Sequence, residues 1–310
     1  MKKSAPCAKS RAFRSIQGTI CMCLMLWAII TQAQIQFPVE VGTKPESLTK
    51  GFNDNYYVTL MNGKEEGDGQ IAEISEEGVK IFSKGFDEPK GIVFLDGHLY
   101  LSDLNRVWKV DQNGKATVFI KKEDFPKEAL YLNDVALDFK KKGIYVADMG
   151  ATQYMRDANN DLWSLDSEEA KKIPQVGRIY HITLDGKISI VQDGSPLMLN
   201  PNGVGVDNQG NIMVGAFFTG NFLVTRNGKL TPLKGTFRGA DAVEQDSKGD
   251  YYVSSWAQAK VWKIDGKTEE ATILIENLQS AADFLLEEEN GRLLLPDMLA
   301  GKILEVPINP

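Results

Sequence analysis

Glu46, Asn133, Asn202 and Asp241 are the side chains of this sequence whose types and spacing point to chemistry. Each stands two places before the first apolar residue of a short strand-like run, at Leu48, Val135, Val204 and Val243. The whole series at that position is Glu46, Lys90, Asn133, Asn202, Asp241 and Ala282. Two carboxylates and two amides converging on one point suit a hard divalent cation. Ca²⁺ takes ~6–8 oxygen ligands, with water completing the shell. Ca²⁺ is the expected ion, and Mg²⁺, Mn²⁺ and Zn²⁺ stay open. Thiolate and imidazole ligation is poorly served. The cysteines are Cys7, Cys21 and Cys23, all near the N-terminus, and the histidines are only His98 and His181. His98 falls in a hairpin turn and His181 within a strand, and both read as surface or structural residues. Asn and Asp also end strands routinely, so a structural reading of the four stands beside the metal reading.

Convergence requires elements that bring four distant segments together. Short alternating strands recur along the chain, paired around polar turns. Val93–Leu95 and Leu99–Asp103 flank Asp96-Gly97, and Val204–Asp207 and Ile212–Gly215 flank Asn208-Gln209-Gly210. The same arrangement surrounds Gly143, Gly249 and Gly291. Period-two apolar runs around Gly, Asn and Asp turns are β-hairpin signals. Each hairpin is followed by a third strand, such as Arg106–Asp111 or Lys260–Asp265, and then by a fourth, such as Thr117–Ile120. Four antiparallel strands per repeat make a propeller blade. Six copies at about 46 residues each predict an all-β, six-bladed β-propeller, within the ~40–50 residues of such repeats. The sixth copy stops after its third strand, and residues 35–41 are expected to supply the missing outer strand. A many-stranded β-sandwich is the competing reading, but it has no need of one four-strand unit six times over. In a propeller the inner strands begin around the central channel on one face, so the six residues of the series ring its mouth.

Composition narrows the class of protein. The chain has 310 residues, 43% hydrophobic and 25% charged, with a net charge of −7. That is ordinary globular composition, and no basic patch marks a nucleic-acid binder. The N-terminus differs from the rest. Lys2, Lys3, Lys9, Arg11 and Arg14 precede an apolar run from Ile20 to Ile30, and Thr31-Gln32-Ala33-Gln34 follows. A basic head, a short apolar middle and a small-residue exit describe a secretory signal over residues 1–33. The apolar run falls short of the ~20 residues of a membrane span, though an uncleaved anchor is the alternative. Cleavage removes every cysteine and leaves residues 34–310 as one domain, exported to the periplasm or the exterior, with no stable membrane insertion.

Asn133-Asp134, Pro201-Asn202-Gly203 and Asp241 at an inner-strand start resemble the motifs of the gluconolactonase/regucalcin (senescence marker protein) family. The resemblance runs in blade order over nearly the whole chain after residue 33. Paraoxonases, diisopropyl fluorophosphatase and strictosidine synthases share the architecture. In the metal-dependent members a Glu from the first blade, Asn from the third and fourth and Asp from the fifth hold a divalent ion. The resemblance therefore implies Glu46, Asn133, Asn202 and Asp241 as ligands, with Asp241 also a candidate base. It implies hydrolysis of a lactone or related ester, a small-molecule substrate. Asp103, Asp134 and Asp148 are candidates for supporting the ligands. Lys90 is either a salt-bridge partner or a contact for an anionic substrate. The competing class is a non-catalytic exported propeller that binds a sugar, a small ligand or a protein, because fold alone does not decide function.

One blade departs from the repeat. Between the second strand of blade three, ending at Asp148, and its third, starting at Arg178, lie residues 149–177. This insertion opens on the ring face and includes Tyr154 and Trp163. A long loop carrying aromatics reads as a lid over the site, against the alternative of a disordered surface loop. N-terminal sequencing of exported protein is expected to begin within a few residues of Gln34, and an intact Met1 in that fraction would contradict the signal.

Overall fold

The alternation read from the sequence folds as hairpins, and the hairpins associate in fours. A computed structural model describes Met1, residues 35–63 and residues 65–309. The basic head and apolar run of the expected signal lie outside the described residues. Among the described residues are six four-stranded antiparallel sheets arranged as the blades of a ring. Their inner strands are Pro45–Lys50, Pro89–Leu95, Leu132–Leu137, Pro201–Val206, Ala240–Gln245 and Leu285–Glu287. Successive strands run outward in chain order within blades one to five. Blade six is completed from the other end of the domain. Its outermost strand is Val39–Glu40, which pairs antiparallel with Lys302–Pro307, Val39 opposite Ile303. This is the closure expected from the missing outer strand. No helix among the described residues is long and apolar enough to cross a membrane.

The core is divided as the ring demands. Each junction between neighbouring blades holds its own buried apolar cluster, because a blade hides both faces against its neighbours. Tyr57, Ile71 and Phe86 of blade one meet Ile92, Leu99 and Leu101 of blade two. Leu48, Val58 and Leu60 of blade one meet Leu294 and Ile303 of blade six at the closing junction, with Val41 beside them. A seventh cluster lies apart from the junctions. Met149, Met155, Ala170 and Ile173 of the insertion pack with Phe217 and Phe218.

Every inner strand from blade one to blade five opens with a break in register. Pairing is lost between Pro45 and Leu48, Pro89 and Ile92, Leu132 and Val135, Pro201 and Val204, and Ala240 and Val243. A β-bulge of this kind re-aims the side chains it contains. The residues inside the breaks are the ring series and its immediate successors: Glu46-Ser47, Lys90-Gly91, Asn133-Asp134, Asn202-Gly203 and Asp241-Ala242. Crowding there restricts the second place of each pair. A methyl on Gly203 would come within 1.7 Å of the Asp241 carbonyl oxygen. Gly203→Ala is therefore expected to cost about 3 kcal/mol, the scale of overpacking against backbone that cannot move. Urea unfolding should show a lower midpoint with an unchanged slope.

Candidate metal centre

The bulges place all four oxygen donors in buried positions at equivalent points of four blades. Glu46, Asn133, Asn202 and Asp241 are each no more than 5% exposed. Their free oxygens share an uncommon property. Oε2 of Glu46 and Oδ1 of Asn133, Asn202 and Asp241 are buried with no hydrogen-bond donor. Leaving one buried acceptor unpaired costs about 1–3 kcal/mol, so four at equivalent points of four blades need a common reason. A hard cation is such a reason, since it satisfies carboxylate and amide oxygens at once. Among the described residues no group of three or more His, Cys, Asp or Glu is placed to hold a metal by itself. The candidate set is half amide.

The remaining contacts of these residues hold them in place. The Asn133 amide donates to the Met149 sulfur at 3.1 Å, and Asn202 lies beside Asp241 and works to lower its carboxyl. Backbone carbonyls of the ring series are gripped by hydroxyls on the preceding blade's second strand. Thr59 donates to the Lys90 carbonyl at 2.7 Å, Ser102 to that of Asn133, and Ser254 to that of Ala282 at 2.8 Å. Gly215 occupies the corresponding place on blade four. A methyl there would stand 3.1 Å from the Asp241 carbonyl oxygen.

A second layer of charge lies one residue further along, in blades three and six. Asp134 accepts from the N–H groups of Val135 and Val204 at 2.6 and 2.7 Å, which ties blade three to blade four. Asp283, which follows Ala282, accepts from the Ser47 hydroxyl and so ties blade six to blade one. The sequence series considered only the first place of each pair and missed Asp283. Its signal was available, because Asp134 occupies the same place in blade three. The site therefore holds four carboxylates, three of them buried and Asp283 partly so. Burial pushes Glu46 up to about 8, with Asp134 adding to the rise and Lys90 opposing it. Burial likewise raises Asp134 to about 6, against the two N–H donors. Asp241 and Asp283 are held well above the usual carboxylate range by burial and by the negative charge of Glu46 and Asp134.

The other predicted residues divide by position. Asp103 and Asp148 end the second strands of blades two and three and do not join the ring. Asp103 accepts from the N–H groups of Asp87 and Glu88 and from the Trp108 indole. Asp148 accepts from those of Leu130, Tyr131 and Gly150. Each clamps the backbone just before a ring residue, Lys90 or Asn133, and Asp297 does the same at Gln279 and Ser280. Lys90 is buried and paired. Its ammonium lies 3.0 Å from a Glu88 oxygen and over the Tyr131 ring at 4.3 Å, and the Tyr131 hydroxyl donates to the same oxygen at 2.7 Å. The salt-bridge alternative read for Lys90 is the one the geometry adopts. His181 pairs with Asp138 at 3.0 Å and His98 contacts the Asp96 carbonyl, both away from the ring. A cavity of about 450 Å³ runs along the inner strands beyond the ring. It is lined by Asp134, Val204, Val243, Glu244, Asp283 and Phe284, and includes none of the four donors.

The insertion is ordered by packing. Met155, Leu162, Trp163, Ala170 and Ile173 share a cluster with Met149, the residue that receives the Asn133 amide. Trp163 thus lies in the cluster that adjoins the ring. Tyr154 does not join it. It closes a short 3-10 turn, Thr152–Tyr154, with its side chain 53% exposed.

Comparison with known proteins bears on the fold. A scan against protein-family models finds no match, and a search of curated proteins finds none either. Solved structures do match. One is a protein described as a candidate gluconolactonase, at 15% identity over 88% of this chain and 91% of that one, with a TM-score of 0.64. Another is virginiamycin B lyase from Staphylococcus aureus with quinupristin, at 15% identity over 86% and 81%, with a TM-score of 0.59. A chain of the nidogen–laminin complex matches at 16% identity over 74% and 79%, with a TM-score of 0.56. At these identities the likeness is one of fold alone, and proteins of different kinds share it.

The raised carboxylates set a pH dependence. Between 4.5, its ordinary value, and about 8, the folded protein holds a proton on Glu46 that the unfolded chain releases. The folded state binds more protons, so in divalent-free buffer this group's contribution to stability declines as pH rises through that window. Thermal unfolding in chelator should show a falling midpoint, and Glu46→Gln should flatten the slope. An identical slope in that variant would contradict the assignment.

Proposed function

We propose that this protein is an exported, metal-dependent hydrolase of a lactone or related ester. One observation carries the reading. Four buried oxygens without donors, from four different blades, occupy one equivalent bulge position each. Glu46, Asn133, Asn202 and Asp241 are the residues that would hold a divalent cation, with Ca²⁺ favoured by the all-oxygen donor set. Such an ion, when bound, draws electron density from an ester carbonyl and favours attack by water.

The chain's own residues supply the rest. Asp241 is the base of this reading. It would accept the proton of the attacking water. Asn202 stands beside the Asp241 carboxylate and favours its charged form. Asp134 and Asp283 brace neighbouring inner strands and hold the ring at fixed spacing. Asp103 and Asp148 fix the chain on either side of the approach to blades two and three. The insertion, with Trp163 in its packed face, serves to exclude bulk water from the reacting carbonyl. The likeness to a candidate gluconolactonase over most of both chains supports this reading.

Purified protein in excess Ca²⁺, assayed against a panel of γ- and δ-lactones, should hydrolyse at least one. Asn202→Leu should abolish calorimetric Ca²⁺ binding and cut kcat/KM by about a hundredfold or more, the scale lost with a preorganised charge-stabilising group. Its β-sheet circular dichroism should persist. Ca²⁺ binding without turnover of any lactone would leave a binding propeller instead.

A further inference from the structure

Six arginines occur among the described residues, and four of them form ion pairs. Arg106 pairs with Asp87, Arg178 with Asp193, Arg226 with Glu269 and Arg292 with Glu287. The two that form none are Arg156 and Arg238, and both stand at the cluster formed by the insertion. Arg156, within the insertion, lies 5.7 Å from the ring centres of both Phe217 and Trp256. Arg238, which precedes the inner strand of blade five, lies 4.9 Å over the ring of Phe218. Phe217, Phe218, Trp163 and Trp256 belong to the same cluster as Met149, and Met149 receives the amide of Asn133.

The guanidinium groups are under-used. Arg156 donates to the Asn160 carbonyl at 2.8 Å. Arg238 donates to the Trp163 carbonyl at 2.9 Å, while its Nε is buried with no acceptor. A guanidinium has five N–H donors arranged to grip a carboxylate or phosphate in two places at once. Aromatic faces beneath it hold its plane and remove water, which strengthens any anion contact. Three of the insertion's five acids are engaged elsewhere. Asp157 accepts from the N–H groups of Asn159 and Asp161, Asp166 engages Ser164, and Glu168 pairs with Lys171. Asp161 acts on Arg156 through space without pairing. Lys90, the cation within the ring itself, is taken by Glu88.

We propose that Arg156, assisted by Arg238, forms an anion-receiving site on the ring face, so that the preferred substrate is a lactone or ester bearing a carboxylate or similar anionic group. The substrate class rests on the hydrolase reading above; the anion site itself does not. The ring would act on the acyl carbon while Arg156 holds the anionic end. The insertion is then a specificity element as well as a roof.

A matched pair of probes tests this: γ-butyrolactone and the same lactone carrying a carboxylate on its γ-carbon, each assayed with the Ca²⁺-loaded protein. The wild type should favour the carboxylate-bearing lactone. In Arg156→Gln the ratio of the two kcat/KM values should fall by about tenfold or more, the scale of a charge-assisted hydrogen bond. Damage to the fold would lower both rates and leave the ratio alone, which would overturn the proposal. If neither these two nor any lactone of the panel is hydrolysed, the hydrolase reading fails, and the anion site is tested by binding. Glutarate, followed by tryptophan fluorescence, should then bind the wild type at least tenfold more tightly than Arg156→Gln or Arg238→Gln, and neutral glutaramide should bind neither. Equal affinity for glutarate in wild type and both variants would overturn it.

Discussion

Four unpaired oxygens can be held in the dry centre of a protein only if backbone, not side-chain flexibility, keeps them there. In this molecule the bulge at the start of each inner strand does that. It interrupts the ladder for two residues, turns the first toward the ring, and places the second against the neighbouring blade. Asp134 and Asp283 use that second place to bind adjacent inner strands. At blades two and four the second place is glycine, because the next inner strand comes too close for a side chain. The spacing of the ring therefore follows from how tightly the inner strands crowd the channel.

Electrostatics and packing pull in opposite directions at this centre. Glu46, Asp134, Asp241 and Asp283 lie near one another; burial raises each, and neighbouring negative charge adds to the rise of Glu46, Asp241 and Asp283. Lys90 lies close enough to moderate Glu46 but is itself committed to Glu88. The ring's stability is supplied from outside it. Six apolar junctions and the pairing of Val39–Glu40 with the last strand lock the blades into a circle. A rigid circle can carry an unfavourable concentration of acid that an isolated sheet could not.

The insertion of blade three changes the surroundings of the ring without changing the ring. It adds an apolar cluster on Met149, Phe217 and Phe218, and it brings Arg156 over two aromatic faces. Rigid strands hold the four oxygen donors, while a loop sets what surrounds them. That is the usual division of labour in a scaffold whose function varies.

Much of this was legible in the residues. Period-two runs around Gly, Asn and Asp turns determined the strands, and their sixfold recurrence determined the propeller. The unfinished last repeat determined that residues 35–41 would close it. Alignment on Leu48, Val135, Val204 and Val243 was enough to find the four oxygen donors, because equivalent positions of a repeat must converge when the repeats form a ring. What only the tertiary structure decided concerns contacts between segments far apart in the chain. The register breaks, the bond from Ser47 to Asp283, the capture of Lys90 by Glu88 and Tyr131, and the exposure of Tyr154 depend on which blade meets which, and at what distance. Asp103 and Asp148 look alike in sequence to any residue near the site. Their carboxylates prove to hold backbone N–H groups just before the ring residues. Local pattern is set by neighbours along the chain and can be read there. The partner of a buried charge is set by the closing of the ring, which no single segment contains.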